Sequence, residues 1–384
     1  MLEFPQDVMT AQVTAAVPQR VHRSRAPAPE EGDLRAAAEL IEGARRPLLF
    51  AGGGAAAAAD ELRTLVEKLE APVMVSRRGK GVLREDHPLA LCDVRGYLAR
   101  QAMAEADCTI AVGCRFTSID TAYWSCEFPR PLVQLDPEPS EIGREYPCDA
   151  GVAGDLAQSL SGLCGRVSEQ RGRWTSKLQA WRKRFESQPP LPLLPEIRRV
   201  LPEDGIVAVD VDVDVHGIGY SAFAEYPVYD PTTFIYPCIG VSLGHAFPAA
   251  LGAKIARPDR PVVCFSGDGG FLMGSYELAT AVRYGINVVT VVVVDDALSA
   301  IKGAQHKQFE GRTIDTELHN PDFVALARSF GVKAKRVDYP EADFEQVLRG
   351  ALEVEGPVLI EVPMRQRQEE VMDWVCWLRD DPLR

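Results

Sequence analysis

The chain has 384 residues, of which 46% are hydrophobic and 25% charged. That is the make-up of a globular protein too long for one ordinary domain. Its 42 basic and 55 acidic residues leave a net charge of −13, which argues against nucleic acid as a partner, and no apolar run is long enough to cross a bilayer.

In chain order, residues 1–32 read as the end of a preceding domain, with a closing strand at 2–8, followed by a Pro-, Arg- and Ala-rich linker. The opening residues lack the basic segment and apolar core of a secretory leader. Nine scattered cysteines without a C-x-x-C pair suit reduced thiols in a cytoplasm better than a disulfide scaffold or a zinc site. Regular patterning starts at Asp33. Helix is expected at 34–41, strand at 47–50, helix at 60–69 after Gly52-Gly53-Gly54, and strand at 72–75. A helix at 98–106 and strands at 108–112 and 131–135 complete a first unit over 33–165. A charged helix at 171–187 and a Pro-rich stretch at 188–195 form a connector over 166–195.

The second unit, 196–366, repeats the theme. Strands are expected at 206–209, 261–265, 287–294 and 357–362, and helices at 274–284, 323–330 and 344–352; a tail follows at 367–384. Strands and helices alternating at these lengths predict α/β architecture, here two doubly wound parallel sheets with helices on both faces. The nearly all-valine strand before Asp295 belongs in the middle of such a sheet, where both faces are covered.

Ser266-Gly267-Asp268-Gly269-Gly270 directly follows a buried strand. Open α/β sheets bind ligands at the carboxyl ends of their strands. Glycines let backbone approach a phosphate there, and the next helix turns its positive end toward it. Alone, the string is as well explained by a turn. The end of the next strand, however, delivers Asp295-Asp296, with Asp295 27 positions after Asp268. Successive strands thereby bring two carboxylates to one sheet edge, an oxygen-ligand pair suited to Mg²⁺.

These residues, with the helix Tyr276-Glu277-Leu278-Ala279-Thr280-Ala281 and the strand-plus-Asp after it, resemble the thiamine-diphosphate fingerprint of acetolactate synthases, pyruvate oxidases and benzoylformate decarboxylases. The resemblance implies that Asp268 and Asp295 bind Mg²⁺, with the Ala297 carbonyl as third protein ligand. It also implies that Gly267, Gly269 and Gly270 line the diphosphate, with the backbone amides of Leu298 and Ser299. Leu243-Gly244, ahead of Pro248-Ala249-Ala250, matches the pair that buttresses the bent cofactor; His245 faces the thiazolium or simply packs. The activity implied is a decarboxylase or carboligase of 2-oxo acids, in a homo- or hetero-oligomer. The family places the glutamate that meets the aminopyrimidine in an N-terminal pyrimidine-binding domain. No catalytic residue is named here, and the chain is expected to need that domain or a partner subunit carrying it. The alternative is a catalytically incomplete cofactor-binding fragment or subunit.

Gly52-Gly53-Gly54-Ala55-Ala56-Ala57 fits G-x-G-x-x-A, but Arg77-Arg78 rather than an acid ends the next strand. A nicotinamide dehydrogenase would also leave Asp268 and Asp295 unexplained. Gly113-Cys114-Arg115-Phe116 and residues 135–143 resemble segments that contact FAD in acetolactate synthases; both occur in flavin-free relatives, so FAD is allowed without being the preferred expectation. Two departures separate the chain from biosynthetic acetolactate synthases. Thr117-Ser118-Ile119 replaces their Asp-Asp-Arg, and Gly303-Ala304-Gln305 stands where they carry a tryptophan.

Overall fold

The computed structural model describes residues 5–12, 14, 26–91, 94, 96–170, 174–185, 193–210, 226–237 and 242–364. The first unit is a five-stranded parallel sheet: β1 (Pro47–Ala51), β2 (Val73–Val75), β3 (Cys108–Val112), β4 (Leu132–Asp136) and β5 (Ala150–Ala153), in the order β2-β1-β3-β4-β5. Every residue of β1, β3 and β4 is buried, as expected of strands with helices on both faces. Those helices include Glu31–Gly43, Ala59–Leu69, Tyr97–Glu105 and Leu156–Cys164. The last was not anticipated, although Asp155 caps it through the Gln158 amide.

The second unit is a six-stranded sheet of β6 (Ile206–Val209), β7 (Phe234–Ile235), β8 (Val262–Gly267), β9 (Val289–Val294), β10 (Lys333–Arg336) and β11 (Val358–Pro363). Their order is β10-β11-β9-β8-β6-β7, again with all pairs parallel. Side chains alternate between two cores. Val263, Phe265, Val289 and Val291 join a cluster continuous with the first unit, whereas Val262, Cys264, Val292 and Val294 face a second cluster with Phe247, Phe271 and Phe323. The two-residue periodicity of a strand produces this split.

Several expectations are corrected. Residues 6–10 form a short helix (Gln6–Thr10), not the end of a strand, and none of its residues is buried. A strand needs an edge to pair with, and no strand of either sheet pairs with this segment. The helix expected at 274–284 starts earlier, at Asp268 itself. It runs as Asp268–Gly274, a 3₁₀ turn Ser275–Glu277, and Leu278–Tyr284. Glycine's low helix propensity hides the first segment, which tertiary packing imposes. The edge strand β10 (Lys-Ala-Lys-Arg) is polar and mostly exposed, a composition that blunts sheet edges and erases the strand signal. The 367–384 tail lies outside the described residues.

Segment 80–85 joins the units. The Lys80 ammonium sits 2.7 Å from both Glu85 oxygens, with Lys80 fully enclosed. Glu85 accepts from the Val228 amide at 2.9 Å and donates its own amide to the Val228 carbonyl at 3.0 Å. Arg84 lies over the Tyr229 ring and pairs with Glu203 at 2.8 Å. Burial pushes the Glu85 carboxyl up despite the neighbouring ammonium.

In the first unit three strand ends meet backbone to backbone. A Cβ on Gly52 would lie 2.1 Å from the Gly113 carbonyl oxygen, and one on Gly54 2.9 Å from the Gly113 Cα. A Cβ on Gly79 would lie 2.2 Å from the Ala51 carbonyl oxygen.

Candidate functional site

The site is built at the carboxyl ends of β8 and β9. Their register aligns Gly267 with Val293, so Asp268 and Asp295 leave adjacent strands side by side, as the spacing predicts. Both are buried. Asp268 is the first residue of its helix, and its carboxylate accepts from the Gly269 amide (2.8 Å), the Asp296 amide (2.8 Å) and the Asn320 side-chain amide (2.6 Å). No lysine, arginine or histidine among the described residues pairs with it. Burial raises its pKa and these hydrogen bonds lower it, for a net rise. Asp295 accepts from the Ala297 amide at 3.3 Å and from the Ser299 hydroxyl. Burial first, and the Asp268 charge second, push Asp295 up to about 6. Like charges buried side by side raise the cost of ionisation, as Asp268 does for Asp295. Among the described residues no third His, Cys, Asp or Glu completes an all-protein cage.

The other expected residues gather here. Gly244 has φ +81°, a conformation that favours glycine, and a Cβ there would meet the Met273 Cβ at 2.8 Å and the Gly270 carbonyl oxygen at 3.4 Å. The Leu243-Gly244 turn thus packs on the helix that begins with Asp268. A Cβ on Gly269 would lie 2.9 Å from Leu298 Cδ2, so that glycine leaves room for Leu298. One expectation changes. The Leu298 amide donates to the Thr316 carbonyl at 2.8 Å, because residues 296–298 pair with 316–318 across an antiparallel bridge; that amide is committed, and Leu298 contributes its side chain. The Ser299 amide and the Ala297 carbonyl make no hydrogen bond with any described residue.

Two contributors were missed. Asp210, after β6, accepts from the Gly244 amide (3.0 Å) and the Ala246 amide (2.9 Å), anchoring the turn and the helix Ala246–Ala256. An acid at a strand end was a readable signal; what it would hold was not. Asn320 lies 52 residues after Asp268, on a loop that carries no motif. In the first unit Thr117 and Asp120 close their own turn, and Asp120 accepts from the Arg77 amide at 2.9 Å.

Residues 217–362 match the family described as "Thiamine pyrophosphate enzyme, C-terminal TPP binding domain", and residues 34–163 match "Thiamine pyrophosphate enzyme, central domain". The chain belongs to the thiamine pyrophosphate enzymes. It is similar along nearly its whole length to acetolactate synthases and a decarboxylase. It is 32% identical to the acetolactate synthase large subunit of Parasynechococcus marenigrum, over 95% of this chain and 62% of that protein. It is 34% identical to a probable 2-ketoarginine decarboxylase of Pseudomonas aeruginosa (94% and 66%), and 30% identical to an acetolactate synthase of Arthrospira platensis (96% and 68%). The chain spans less than two thirds of the first two relatives' own length. No helix among the described residues is long and apolar enough to cross a membrane.

Proposed function

We propose that this chain supplies the diphosphate- and Mg²⁺-holding part of a thiamine-diphosphate-dependent decarboxylase or carboligase acting on a 2-oxo acid. The observation that carries the reading is the buried pair Asp268 and Asp295 on adjacent strand ends, beside a turn and helix packed too closely for side chains at Gly244 and Gly269. The donor set fits the ion. Two carboxylates and the Ala297 carbonyl are oxygen ligands, and Mg²⁺ takes the remainder of its octahedron from phosphate oxygens and water. Thiamine diphosphate, when bound, supplies a nucleophilic carbon and an electron sink for the 2-oxo acid. The protein's share is orientation. Asp268 and Asp295 hold the metal, the Ser299 amide is open to an anion, and Leu243 and Gly244, held by Asp210, shape the wall beside it.

The acid that meets the aminopyrimidine is assigned to a pyrimidine-binding domain or subunit in an oligomer. Met273, Tyr276 and Tyr284, on the segment that follows Asp268, expose 56%, 66% and 67% of their surface. Apolar surface of this kind beside a site suits a protein partner. The test is calorimetry of thiamine diphosphate with Mg²⁺, then turnover of pyruvate and benzoylformate, each with the chain alone and with a separately expressed pyrimidine-binding domain. Metal-dependent binding with turnover only in the mixture supports the reading. Turnover by the chain alone overturns the need for a partner, and binding indifferent to Mg²⁺ overturns the site.

A further inference from the structure

Resting on that reading, we propose that Asn320 is a positioning residue that locks the Asp268 carboxylate so that Oδ1 alone faces the metal. Each carboxylate oxygen has about two acceptor directions. Oδ2 of Asp268 receives two donors, the Asp296 amide at 2.8 Å and the Asn320 Nδ2 at 2.6 Å, and is filled. Oδ1 receives one, the Gly269 amide at 2.8 Å, which leaves one direction open. The hydrogen bonds thus select a monodentate ligand and identify its oxygen.

Asn320 is suited to this by chemistry. Its amide also donates to Asp296 Oδ1 at 2.7 Å, so it ties both acids into one ring with the Asp296 amide. Asp296 itself is left-handed, with φ +60°, and the ring holds it there. The Asn320 Oδ1 is buried without a partner. Turning the amide over would aim that oxygen at two carboxylates, so the observed orientation is the one the charges permit. A lysine or arginine in this place would neutralise Asp268 and compete with the cation. An aspartate would add a third negative charge. The neutral amide orients Asp268 and leaves its charge available. The loop that carries Asn320 is fixed to residues 296–298 by Leu318 N to Asp296 O (2.7 Å) and Leu298 N to Thr316 O (2.8 Å).

The test uses the full chain with Mn²⁺ and inorganic pyrophosphate as probes, read by water-proton relaxation, with melting in EDTA as the measure of folding. Asn320→Ala is expected to lower Mn²⁺ affinity about 10- to 100-fold, the usual effect of losing a partner that orients a ligand. Asp322→Ala is the matched control. It removes the helix cap two residues along the same loop, where Asp322 accepts from the Ala325 amide at 2.8 Å, without touching Asp268. It should lower the melting temperature and leave Mn²⁺ affinity unchanged. Asn320→Ser, which keeps one donor, serves if the alanine variant does not fold, and should fall between the two. Unchanged affinity in the Asn320 variants, or a loss matched by Asp322→Ala, overturns the role of Asn320. If in addition Asp268→Asn abolishes binding, the metal site itself stands. If the wild type does not bind Mn²⁺, or Asp268→Asn binds as well as wild type, the metal reading fails and this inference with it.

Discussion

Replacing Asp295 by asparagine should stabilise the chain in the absence of metal and weaken its response to metal. Burial and the Asp268 charge hold Asp295 up to about 6, against an ordinary value of 3.8. The difference is roughly two pH units at about 1.4 kcal/mol each, or about 3 kcal/mol of cost for the ionised form. The sign follows from proton counting. Between about pH 4 and pH 6 the folded chain binds this proton more than the unfolded chain does, so stability falls as pH rises through that window and levels off above it. Asparagine keeps the shape and carries no charge. In EDTA at pH 7.5 its urea midpoint should therefore exceed that of the wild type, by up to the equivalent of about 3 kcal/mol. The gap should close toward pH 4, and excess Mg²⁺ with thiamine diphosphate should stabilise the wild type more than the variant. An asparagine variant no more stable than wild type at pH 7.5, or a gap independent of pH, would refute the reasoning.

Asp268→Ala should abolish Mg²⁺-dependent binding of thiamine diphosphate, a loss beyond about 100-fold, with an unchanged far-UV spectrum; calorimetry with the pyrimidine-binding domain present measures it. Glu85→Ala, which takes the carboxylate away from the enclosed Lys80 ammonium, should cost about 3–5 kcal/mol. The double substitution Lys80→Met/Glu85→Leu should recover most of that, and equal urea midpoints for the single and double variants would count against the pair. Gly52→Ala, whose methyl would fall 2.1 Å from a carbonyl oxygen, should destabilise by about 1–3 kcal/mol as over-packing does. A thermal melt matching wild type would show that the backbone can yield.

The strands that carry the site were legible because burial on both faces leaves a nearly unbroken apolar run. Val289–Val294 and Ile206–Val209 announce themselves this way. The spacing of Asp268 and Asp295 was legible because one helix and one strand fix how far apart two strand ends fall in sequence. What escaped was held by tertiary contact. Asp268–Gly274 is helical although three of its seven residues are glycine, and Asn320 reaches Asp268 from a loop whose own sequence gives no period. The bond from the Leu298 amide to Thr316 was not legible either, because Thr316 comes from the same distant loop.

The interlocked glycines of the first unit bear on how sequence signatures are interpreted. A pattern defined by the lack of side chains records only that something approaches closely. At Gly52 and Gly54 that neighbour is the chain's own turn at Gly113. The same letters that admit a pyrophosphate elsewhere here weld adjacent strand ends together. A survey that assigns nucleotide binding from such letters has to separate this self-contact from contact with a ligand. Introducing side chains at Gly52, Gly54 and Gly113 one at a time, with stability and flavin affinity measured in parallel, would tell the two uses apart in any relative.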